Sequence, residues 1–306
     1  MSFLINIPNR PLDKLIERLK QDIPEQEIEV WPNVQNPQKV EFALVWKHQQ
    51  ASLVEYPNLK GISSFGAGVD SIITDPQLPD VPVARIIDPV LAKSMAAFVL
   101  TIIQQHKLRL PQFRQQQKQT LWKPKSPRRN NTVGILGFGQ LGQETGRLLT
   151  TLGYSVFAWS QSSKNVEGIV SVTGSEGLRE VVSKSDYLVC LLPLTKTTEN
   201  ILDIRLFQQM PKGSVLINVA RGDHLVDQDL LKAIEQGCIE SAYLDVFRQE
   251  PLPSDHVFWQ HPNIHITPHI SAVTNVETAV TQIVNNYHRV KTNQNMVNTI
   301  DKNSGY

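Results

Sequence analysis

The stretch that decides the fold is TVGILGFGQLGQETGRLLTTLGYSVFAW, which runs from Thr132 to Trp159. It opens and closes with short apolar runs, and glycines separate the first run from a segment whose apolar or small residues recur at helical spacing. These residues are Leu141, Thr145, Leu148, Leu149 and Leu152. Gly153 stands where a helix C-cap glycine is expected. The pattern predicts a strand, a tight turn, a helix and a second strand.

The glycines of the predicted turn follow the spacing G-x-G-x-x-G. Gly137 permits the tight turn, Gly139 lets a pyrophosphate approach the backbone, and Gly142 lets helix and strand pack closely. The start of the helix offers N–H groups and partial positive charge to phosphates. Between a strand and a helix, this motif predicts a dinucleotide site. Its loop residues are Gly137, Phe138, Gly139, Gln140, Leu141 and Gly142.

The segment after the second strand, SQSSK, bears on the choice of coenzyme. An Asp or Glu about 20 residues past the glycines normally binds the adenosine ribose, but this chain has hydroxyls and one lysine there. Without an acid, nothing repels a 2′-phosphate, and hydroxyls and an ammonium can donate to it. We therefore predict a preference for NADPH, with NADH possible. The predicted contacts are Ser160, Gln161, Ser162 and Lys164.

Composition and charge exclude several classes of protein. The chain has 306 residues, of which 41% are hydrophobic and 19% charged, and a formal net charge of +1. These values are typical of a globular protein and predict neither a nucleic-acid nor a membrane partner. The two cysteines, Cys190 and Cys238, lie in apolar surroundings without a CxxC motif. No run resembles a signal peptide or a membrane span, so a cytoplasmic protein is expected.

Apolar runs alternate with helical patterns along the chain, which predicts parallel sheets covered by helices. The predicted strands are FLINI, EIEVW, FALVW, GISSF and VARII before residue 90, and TVGIL, SVFAW, YLVCLL, SVLINV, SAYLDV and NIHIT after residue 131. A continuous helix, VLAKSMAAFVLTIIQQHKLR, and a polar connection, RQQQKQTLWKPKSPRRNN, lie between the two series. The helix VETAVTQIVNNYHRV near the C-terminus is expected to return to the first series.

Three charged residues each follow a predicted strand of the second series. Arg221 follows SVLINV, Glu250 follows SAYLDV and His269 follows NIHIT. Ligands of open α/β sheets bind at the carboxyl ends of the strands, so these side chains are expected to converge. A metal site is not expected, because an extended run would separate His265 from His269 by about 13 Å.

The chain resembles the D-isomer-specific 2-hydroxyacid dehydrogenases, and among them the glyoxylate/hydroxypyruvate reductase A type. The motifs that carry the resemblance are SFGAGVDSI, GILGFGQLG, AWSQSSK, LLPLTKTTEN, INVARGDHLVD, LDVFRQEPLP and ITPHISA, in that order. The resemblance implies two doubly wound parallel-sheet domains in an α/β fold. A Rossmann NAD(P)-binding domain, residues 94–271, is expected to be inserted in a flavodoxin-like substrate domain, residues 1–93 and 272–306. A homodimer is also implied.

The resemblance makes Arg221, Glu250 and His269 catalytic in the reduction of a small 2-oxoacid. An imidazole titrates near neutral pH and suits the proton donor, a neighbouring carboxylate favours its charged form, and an arginine suits the substrate carboxylate. The N–H groups of Gly66, Ala67 and Gly68 are expected to form an anion nest for that carboxylate. Trp46 is either a pocket wall or a core residue. Further expected cofactor contacts are Leu192, Pro193, Thr195, Val219, Ala220, Arg221, Asp245 and His269.

Several alternatives stay open at the level of sequence. The oxoacid preferred over others is not determined, and some relatives are dinucleotide-sensing corepressors that retain the catalytic residues. Gln161 and Ser163 replace arginines that the reductases often carry, which weakens the expected NADPH preference. Ala97 and Phe98 stand where the family usually has Glu-Tyr, which removes polar groups at the domain junction.

Overall fold

A computed structural model describes residues 2–302 and residue 305 of the chain. In chain order the strands are β1 (Ser2–Asn6), β2 (Glu27–Val30), β3 (Val40–Val45), β4 (Gly61–Ser64), β5 (Val83–Ala84), β6 (Thr132–Leu136), β7 (Ser155–Trp159), β8 (Ile169–Val172), β9 (Tyr187–Cys190), β10 (Ser214–Asn218), β11 (Ile239–Leu244) and β12 (Ile264–Ile266). The helices are α1 (Asp13–Asp22), α2 (Asp70–Ile73), α3 (Pro89–Lys107), α4 (Leu110–Lys118), α5 (Gln140–Thr151), α6 (Gly174–Lys184), α7 (Ile204–Phe207), α8 (Asp227–Glu235) and α9 (Val276–Lys291).

The chain divides into two compact units. The first comprises the residues up to Val90 together with those from Thr274 onward, and the second runs from Leu91 to Val273. The divisions therefore fall three residues before and two residues after the boundaries expected from the sequence. Each unit is an α/β structure built on a parallel sheet, and this confirms the predicted fold class.

The sheet of the first unit has the order β2-β1-β3-β4-β5, with every pairing parallel. Side chains of β1 alternate between two cores, with Phe3 and Ile5 in one and Leu4 in the other. Both faces are therefore covered, which explains why the strand reads as a continuous apolar run. Helix α9 packs on this sheet, and the ring of Tyr287 lies 5.6 Å from that of Phe3. The C-terminal helix thus belongs to the first unit.

The sheet of the second unit has the order β12-β11-β10-β9-β6-β7-β8 and is also parallel throughout. From β6 the chain builds outward through β7 and β8, and then returns to the other side of β6 to add β9 to β12. The strand order reverses between β6 and β9. In doubly wound sheets, this switch point is where ligands bind, at the carboxyl ends of the strands.

Three details of the second unit differ from the sequence prediction. Its sheet has seven strands within the described residues, not six, because β8 forms an additional edge strand. That strand is only partly buried, so it lacks the apolar run by which the others were predicted. The predicted helix ends at Lys107 rather than Arg109, which adopts a left-handed conformation at φ 60°. A second helix, α4, then covers the start of the predicted polar connection; none of its residues is buried, so no amphipathic pattern marks it.

Candidate active site

The glycine loop lies between β6 and α5, at the switch point of the second sheet. A Cβ atom at Gly137, where φ is +99°, would lie 2.5 Å from the Leu191 backbone. A Cβ atom at Gly142 would lie 2.1 Å from the Gly137 carbonyl oxygen. Both positions therefore require glycine for close packing.

Gly139 differs, because a Cβ atom there would meet no protein atom within 4 Å. It precedes the first residue of α5 and has no side chain to cap the N–H groups of the helix. A side chain at this position would fill the space beside those N–H groups, where a pyrophosphate binds in this fold. The loop therefore fits a dinucleotide.

The loop after β7 presents hydroxyl groups and one ammonium group. Lys164 Nζ donates to Ser162 Oγ at 2.8 Å, and Ser160 Oγ donates to the Ser162 carbonyl at 2.9 Å. Lys164 is also held through its backbone N–H, which donates to Ser171 Oγ at 3.0 Å. Residues 161–164 are exposed. The cation and the hydroxyls predicted for a 2′-phosphate therefore lie together on one exposed loop.

The loop after β9 is organised by Thr198, a buried residue that the sequence analysis did not single out. Its hydroxyl donates to the Pro193 carbonyl at 2.7 Å and accepts from the Thr195 N–H at 2.9 Å. His224 also donates to the Pro193 carbonyl through Nε2, at 3.3 Å. Burial lowers the pKa of His224, so this imidazole is neutral at physiological pH. Pro193 and Thr195 are thus fixed by groups from within the loop and from the turn after β10, and Leu192 beside them is buried.

The turn after β10 carries Arg221. Asn218 holds it through two bonds: its amide nitrogen donates to the Arg221 carbonyl at 2.9 Å, and its amide oxygen accepts from the Ala220 N–H at 3.2 Å. Arg221 Nη1 donates to the Ala220 carbonyl at 2.6 Å. Val219 and Ala220 are buried beneath the turn. Asn218 is completely buried, so its role is to shape the turn.

His269 and Glu250 form a hydrogen-bonded pair. His269 Nδ1 lies 3.0 Å from Oε1 and 2.9 Å from Oε2 of Glu250, with the two side chains 33% and 22% exposed. A carboxylate only accepts, so Nδ1 carries a proton and Nε2 is the nitrogen left to exchange one. The backbone of His269 has φ 54°, a conformation that costs about 1–3 kcal/mol for a residue other than glycine. Such strain is typical of functional positions.

Asp245 fixes the segment that carries His269. Its Oδ1 accepts from the Thr267 hydroxyl at 2.6 Å and from the Ile270 N–H at 2.9 Å, and its Oδ2 accepts from the Ser271 N–H at 2.8 Å. The carboxyl group is 1% exposed. These bonds bracket His269 on both sides, a role that the sequence analysis did not assign to Asp245. Its contact with the nicotinamide stays a prediction.

Arg221, Glu250 and His269 lie beyond the carboxyl ends of neighbouring strands of the second sheet. They follow β10, β11 and β12, which are adjacent parallel strands. Glu250 and His269 make direct contact, and the turn of Arg221 packs against the loop of Glu250 through Gly222. A Cβ atom on Gly222 would lie 1.9 Å from the Phe247 carbonyl carbon. The structure therefore brings together the loops that carry the three predicted catalytic residues.

In the first unit, Trp46 lies against the glycine-rich loop after β4. A Cβ atom on Gly66 would lie 2.3 Å from the Trp46 ring, so a larger residue cannot replace this glycine without moving the ring. The Gly66 N–H donates to Ser64 Oγ at 3.1 Å, and Ser64 Oγ donates to the Gly68 carbonyl at 2.8 Å. The Gly66 N–H thus donates to a serine hydroxyl in this structure, and its place in an anion nest stays a prediction.

Neither a metal site nor a membrane span is formed by the described residues. Within residues 2–302 and 305, no group of three or more His, Cys, Asp and Glu side chains is arranged to hold a metal ion. Over the same part of the chain, no helix has the length and apolar character needed to cross a bilayer. His265, which the sequence analysis considered as a metal ligand, stacks on Tyr243 with the ring centres 4.4 Å apart.

The sequence and the fold agree with those of known dehydrogenases. Residues 100–271 match the NAD binding domain of the D-isomer specific 2-hydroxyacid dehydrogenases. The chain belongs to this family of oxidoreductases, which confirms the resemblance seen in the sequence. It is 37% identical to glyoxylate/hydroxypyruvate reductase A of Yersinia enterocolitica, with 94% of each chain covered.

Two solved structures share the fold over the whole chain. A D-isomer specific 2-hydroxyacid dehydrogenase from Xanthobacter autotrophicus, in complex with NADPH and MES, superposes with a TM-score of 0.94 at 33% identity, covering 100% of this chain and 99% of that chain. An NADPH-dependent glyoxylate/hydroxypyruvate reductase from Sinorhizobium meliloti, in complex with NADP and sulfate, gives 0.93 at 30% identity and covers 100% of both chains. The chain is thus similar to proteins crystallised with NADPH or NADP.

Proposed function

We propose that the chain is an NADPH-preferring reductase of small 2-oxoacids, such as glyoxylate and hydroxypyruvate, which it converts to 2-hydroxyacids. The observation that carries the proposal is the His269–Glu250 pair, in which both carboxylate oxygens lie within 3.0 Å of Nδ1. The pair lies at the carboxyl ends of the strands of a dinucleotide-binding sheet. The relatives named as glyoxylate/hydroxypyruvate reductases support the choice of substrate.

In this mechanism His269 is the general acid. Its Nδ1 proton is held by Glu250, so Nε2 delivers a proton to the carbonyl oxygen of the substrate as that oxygen gains negative charge. Glu250 stabilises the imidazolium before transfer and keeps the ring in one orientation. NADPH, when bound, supplies the hydride to the carbonyl carbon. The residues proposed to bind it are the glycine loop together with Ser160, Gln161, Ser162, Lys164, Leu192, Pro193, Thr195, Val219, Ala220, Arg221, Asp245 and His269.

Arg221 is proposed to bind the substrate carboxylate and to polarise its carbonyl group. A guanidinium offers several N–H donors in one plane, which matches two neighbouring oxygen atoms. The N–H groups of Ala67 and Gly68 are proposed as further donors to the carboxylate, and Trp46 as a wall of the substrate pocket. Gly66 is also needed for the close approach of the Trp46 ring, and its N–H is proposed as a third donor to the carboxylate.

The preference for NADPH is proposed from the loop after β7. Ser160 and Lys164 each donate to Ser162 on this loop, and residues 160–164 carry no carboxylate that would repel a 2′-phosphate. A cation and hydroxyl donors favour the phosphorylated ribose. NADH is expected to be a poorer coenzyme.

The test is a substrate panel with both coenzymes. Purified protein is mixed with NADPH or NADH and with glyoxylate, hydroxypyruvate or a longer 2-oxoacid, and the loss of reduced coenzyme is followed by absorbance. We expect turnover with small oxoacids and a higher kcat/KM with NADPH. Higher efficiency with NADH contradicts the coenzyme preference. A chain that binds NADPH but consumes it with no oxoacid contradicts the enzymatic function and favours the sensing alternative.

A homodimer is proposed through the face formed by α3 and α4 in the second unit. This face has a cleft of about 460 Å³ with an apolar part lined by Phe98, Ile102, Pro111, Tyr243 and Ile266. The segment after α4 exposes 94% of the Trp122 side chain and 40% of Leu121. An apolar cleft and large exposed apolar side chains are each typical of protein interfaces.

We also propose that the protein works in the cytoplasm. Both cysteines are free thiols, and burial raises the pKa of Cys190 to about 12, so that this group stays protonated. Free thiols are usual in a reducing compartment. Fractionation of expressing cells, followed by immunodetection, tests the location.

A further inference from the structure

Arg248 lies two residues before Glu250 and bonds to loops other than its own. Its Nε and Nη2 donate to the Leu225 carbonyl at 3.0 and 2.6 Å, and Nη2 also donates to the Asp223 carbonyl at 3.3 Å. Nη2 donates in addition to Asn200 Oδ1. Nη1 lies 3.6 Å from Asp223 Oδ1, which completes an ion pair. One guanidinium thus serves four acceptor atoms on three other residues.

These acceptors place Arg248 at the junction of three loops. Asn200 lies in the loop after β9, Asp223 and Leu225 lie in the segment after β10, and Arg248 itself lies in the loop after β11. The three strands are neighbours in the sheet. Arg248 therefore connects the loops that follow three neighbouring strands, at the carboxyl ends where the proposed catalytic residues lie.

The backbones of the first two loops are joined as well. The Asn200 N–H donates to the Asp223 carbonyl at 2.9 Å, and the Leu202 N–H donates to the His224 carbonyl at 2.9 Å. Leu202 and Leu225 form an isolated parallel bridge. The segment after β10 is thus paired with the loop after β9, and Arg248 adds the loop after β11 through its side chain.

The residues next to Arg248 connect this junction to the reacting groups. A Cβ atom on Gly222 would lie 2.2 Å from the Arg248 nitrogen, so the turn carrying Arg221 rests directly on the backbone at Arg248. The Phe247 N–H donates to Glu250 Oε1 at 3.2 Å. The relative placement of Arg221 and Glu250 therefore depends on the segment that Arg248 holds.

We propose that Arg248 is a positioning residue for the reaction: it holds the loops of Arg221 and Glu250 in the relative arrangement that hydride and proton transfer require. This inference rests on the proposed function. Arg248 acts through the other two residues and is given no contact with substrate or coenzyme. A misplacement of about 1 Å in a catalytic group can lower a rate about 100-fold, so a clamp of this kind affects turnover.

The first experiment compares Arg248→Met and Arg248→Lys with the wild type. Methionine keeps part of the side-chain volume and removes every donor, whereas lysine keeps a charge but lacks the planar fork of donors. We expect kcat to fall at least about tenfold in Arg248→Met, with a smaller loss in Arg248→Lys. The dissociation constant of NADPH, measured by coenzyme fluorescence, should change much less than kcat, because the glycine loop and the 2′-phosphate loop follow β6 and β7, outside the loops that Arg248 holds.

The matched control is Arg179→Met. Arg179 is also ion-paired, at 2.9 Å to Glu176, but it lies on helix α6 with its side chain 66% exposed. It should change neither kcat nor NADPH binding. Melting temperatures of all variants show whether each is folded, and Arg248→Lys keeps the test informative if Arg248→Met does not fold.

A second readout does not depend on turnover. Amide hydrogen exchange at Leu202 and at residues 222–226 should accelerate in Arg248→Met and stay unchanged in Arg179→Met. Wild-type kcat in Arg248→Met, or unchanged exchange in these segments, overturns the inference while leaving the proposed function intact. A parallel fall in NADPH affinity and kcat also overturns it, since that indicates general damage. A wild-type enzyme inactive with every 2-oxoacid overturns the proposed function, and the positioning role falls with it, even if the exchange result identifies Arg248 as a clamp.

Discussion

Glu250 and His269 are paired so that both carboxylate oxygens lie within 3.0 Å of a single imidazole nitrogen, Nδ1. The carboxylate also accepts from the Phe247 N–H at 3.2 Å, which fixes its orientation. The backbone on either side of His269 is fixed by Asp245, which accepts from the Thr267 hydroxyl and from the N–H groups of Ile270 and Ser271. Both partners are therefore held before substrate binds, and pre-organisation of this kind lowers the free energy of reorganisation during the reaction.

The pair predicts that His269 and Glu250 act as a unit. His269→Ala should lower kcat about 100- to 10,000-fold, because the proton donor is lost. Glu250→Gln should lower kcat less, and the double variant should be no slower than His269→Ala alone, since Glu250 acts through the imidazole. Steady-state kinetics on the three variants test this. Near-normal turnover by His269→Ala, or additive losses in the double variant, would contradict the assignment.

Arg221 is predicted to act mainly on the substrate carboxylate. Arg221→Ala should lower kcat/KM for 2-oxoacids about 10- to 100-fold through the loss of charge-assisted hydrogen bonds. Arg221→Lys should recover only part of this, because an ammonium lacks the planar fork. NADPH affinity, measured by coenzyme fluorescence, should fall by less than kcat/KM for the oxoacid, because many other residues are also proposed to contact the coenzyme. An Arg221→Ala enzyme with unchanged kcat/KM would exclude the role.

Lys164 is predicted to select NADPH. Lys164→Ala should lower kcat/KM for NADPH about tenfold and leave that for NADH unchanged, because the lost contact is charge-assisted and made only to the 2′-phosphate. Lys184→Ala is the matched control, since Lys184 pairs with Glu180 at 2.8 Å on helix α6. Equal losses with both coenzymes in Lys164→Ala would show that the lysine does not distinguish them.

The lowered pKa of Glu240 predicts that the protein becomes less stable in acid. Burial acts to raise the pKa of Glu240, but the nearby His106 and the hydrogen-bonded Arg128 outweigh burial and lower this pKa below 4.5. Because the pKa of this carboxyl group is lower in the folded than in the unfolded protein, its charged form stabilises the fold at pH values above the pKa of the unfolded state. This contribution is lost as the pH falls through the pKa of the folded state. The free energy of unfolding should therefore decline below about pH 4.5, and Glu240→Gln should flatten the decline.

Urea unfolding at several pH values measures this effect. The difference between wild type and Glu240→Gln is expected to be about 1 kcal/mol or less, since the carboxyl group is 35% exposed and partly screened. Glu180→Gln is the control, because its ion pair is on the helix surface. Parallel pH curves for wild type and Glu240→Gln would refute the prediction.

Trp122 is predicted to contribute to a dimer. It is 94% exposed, and truncation of a tryptophan at an interface commonly costs about 2 kcal/mol or more of binding free energy. Trp122→Ala should therefore weaken the dimer by more than about tenfold in sedimentation equilibrium. Trp259→Ala, which removes a half-exposed tryptophan between β11 and β12, should not. A wild-type monomer at high concentration would contradict the dimer itself.

The sequence was most informative where a local pattern dictates local structure. Position 137 requires glycine because its φ is positive and because the Leu191 backbone is close. The G-x-G-x-x-G spacing marks such a position in the sequence. The buried strands were visible because a sheet covered on both faces needs continuous apolar runs. Strand β8 and helix α4 were missed for the complementary reason, because neither buries enough apolar surface to leave a pattern.

Side-chain pairing between loops was beyond the sequence. Asp245 brackets His269, and Arg248 reaches acceptors on two other loops. No spacing rule predicts these bonds, because they depend on where each loop turns and which rotamer each side chain adopts. By itself the sequence determined the family, the parallel-sheet architecture and the kinds of chemical groups at the strand ends, since periodicity and glycine spacing are local properties of the chain. Only the tertiary structure decided which of those groups meet, because hydrogen bonds form between atoms within about 3 Å of each other in space, however far apart they are along the chain.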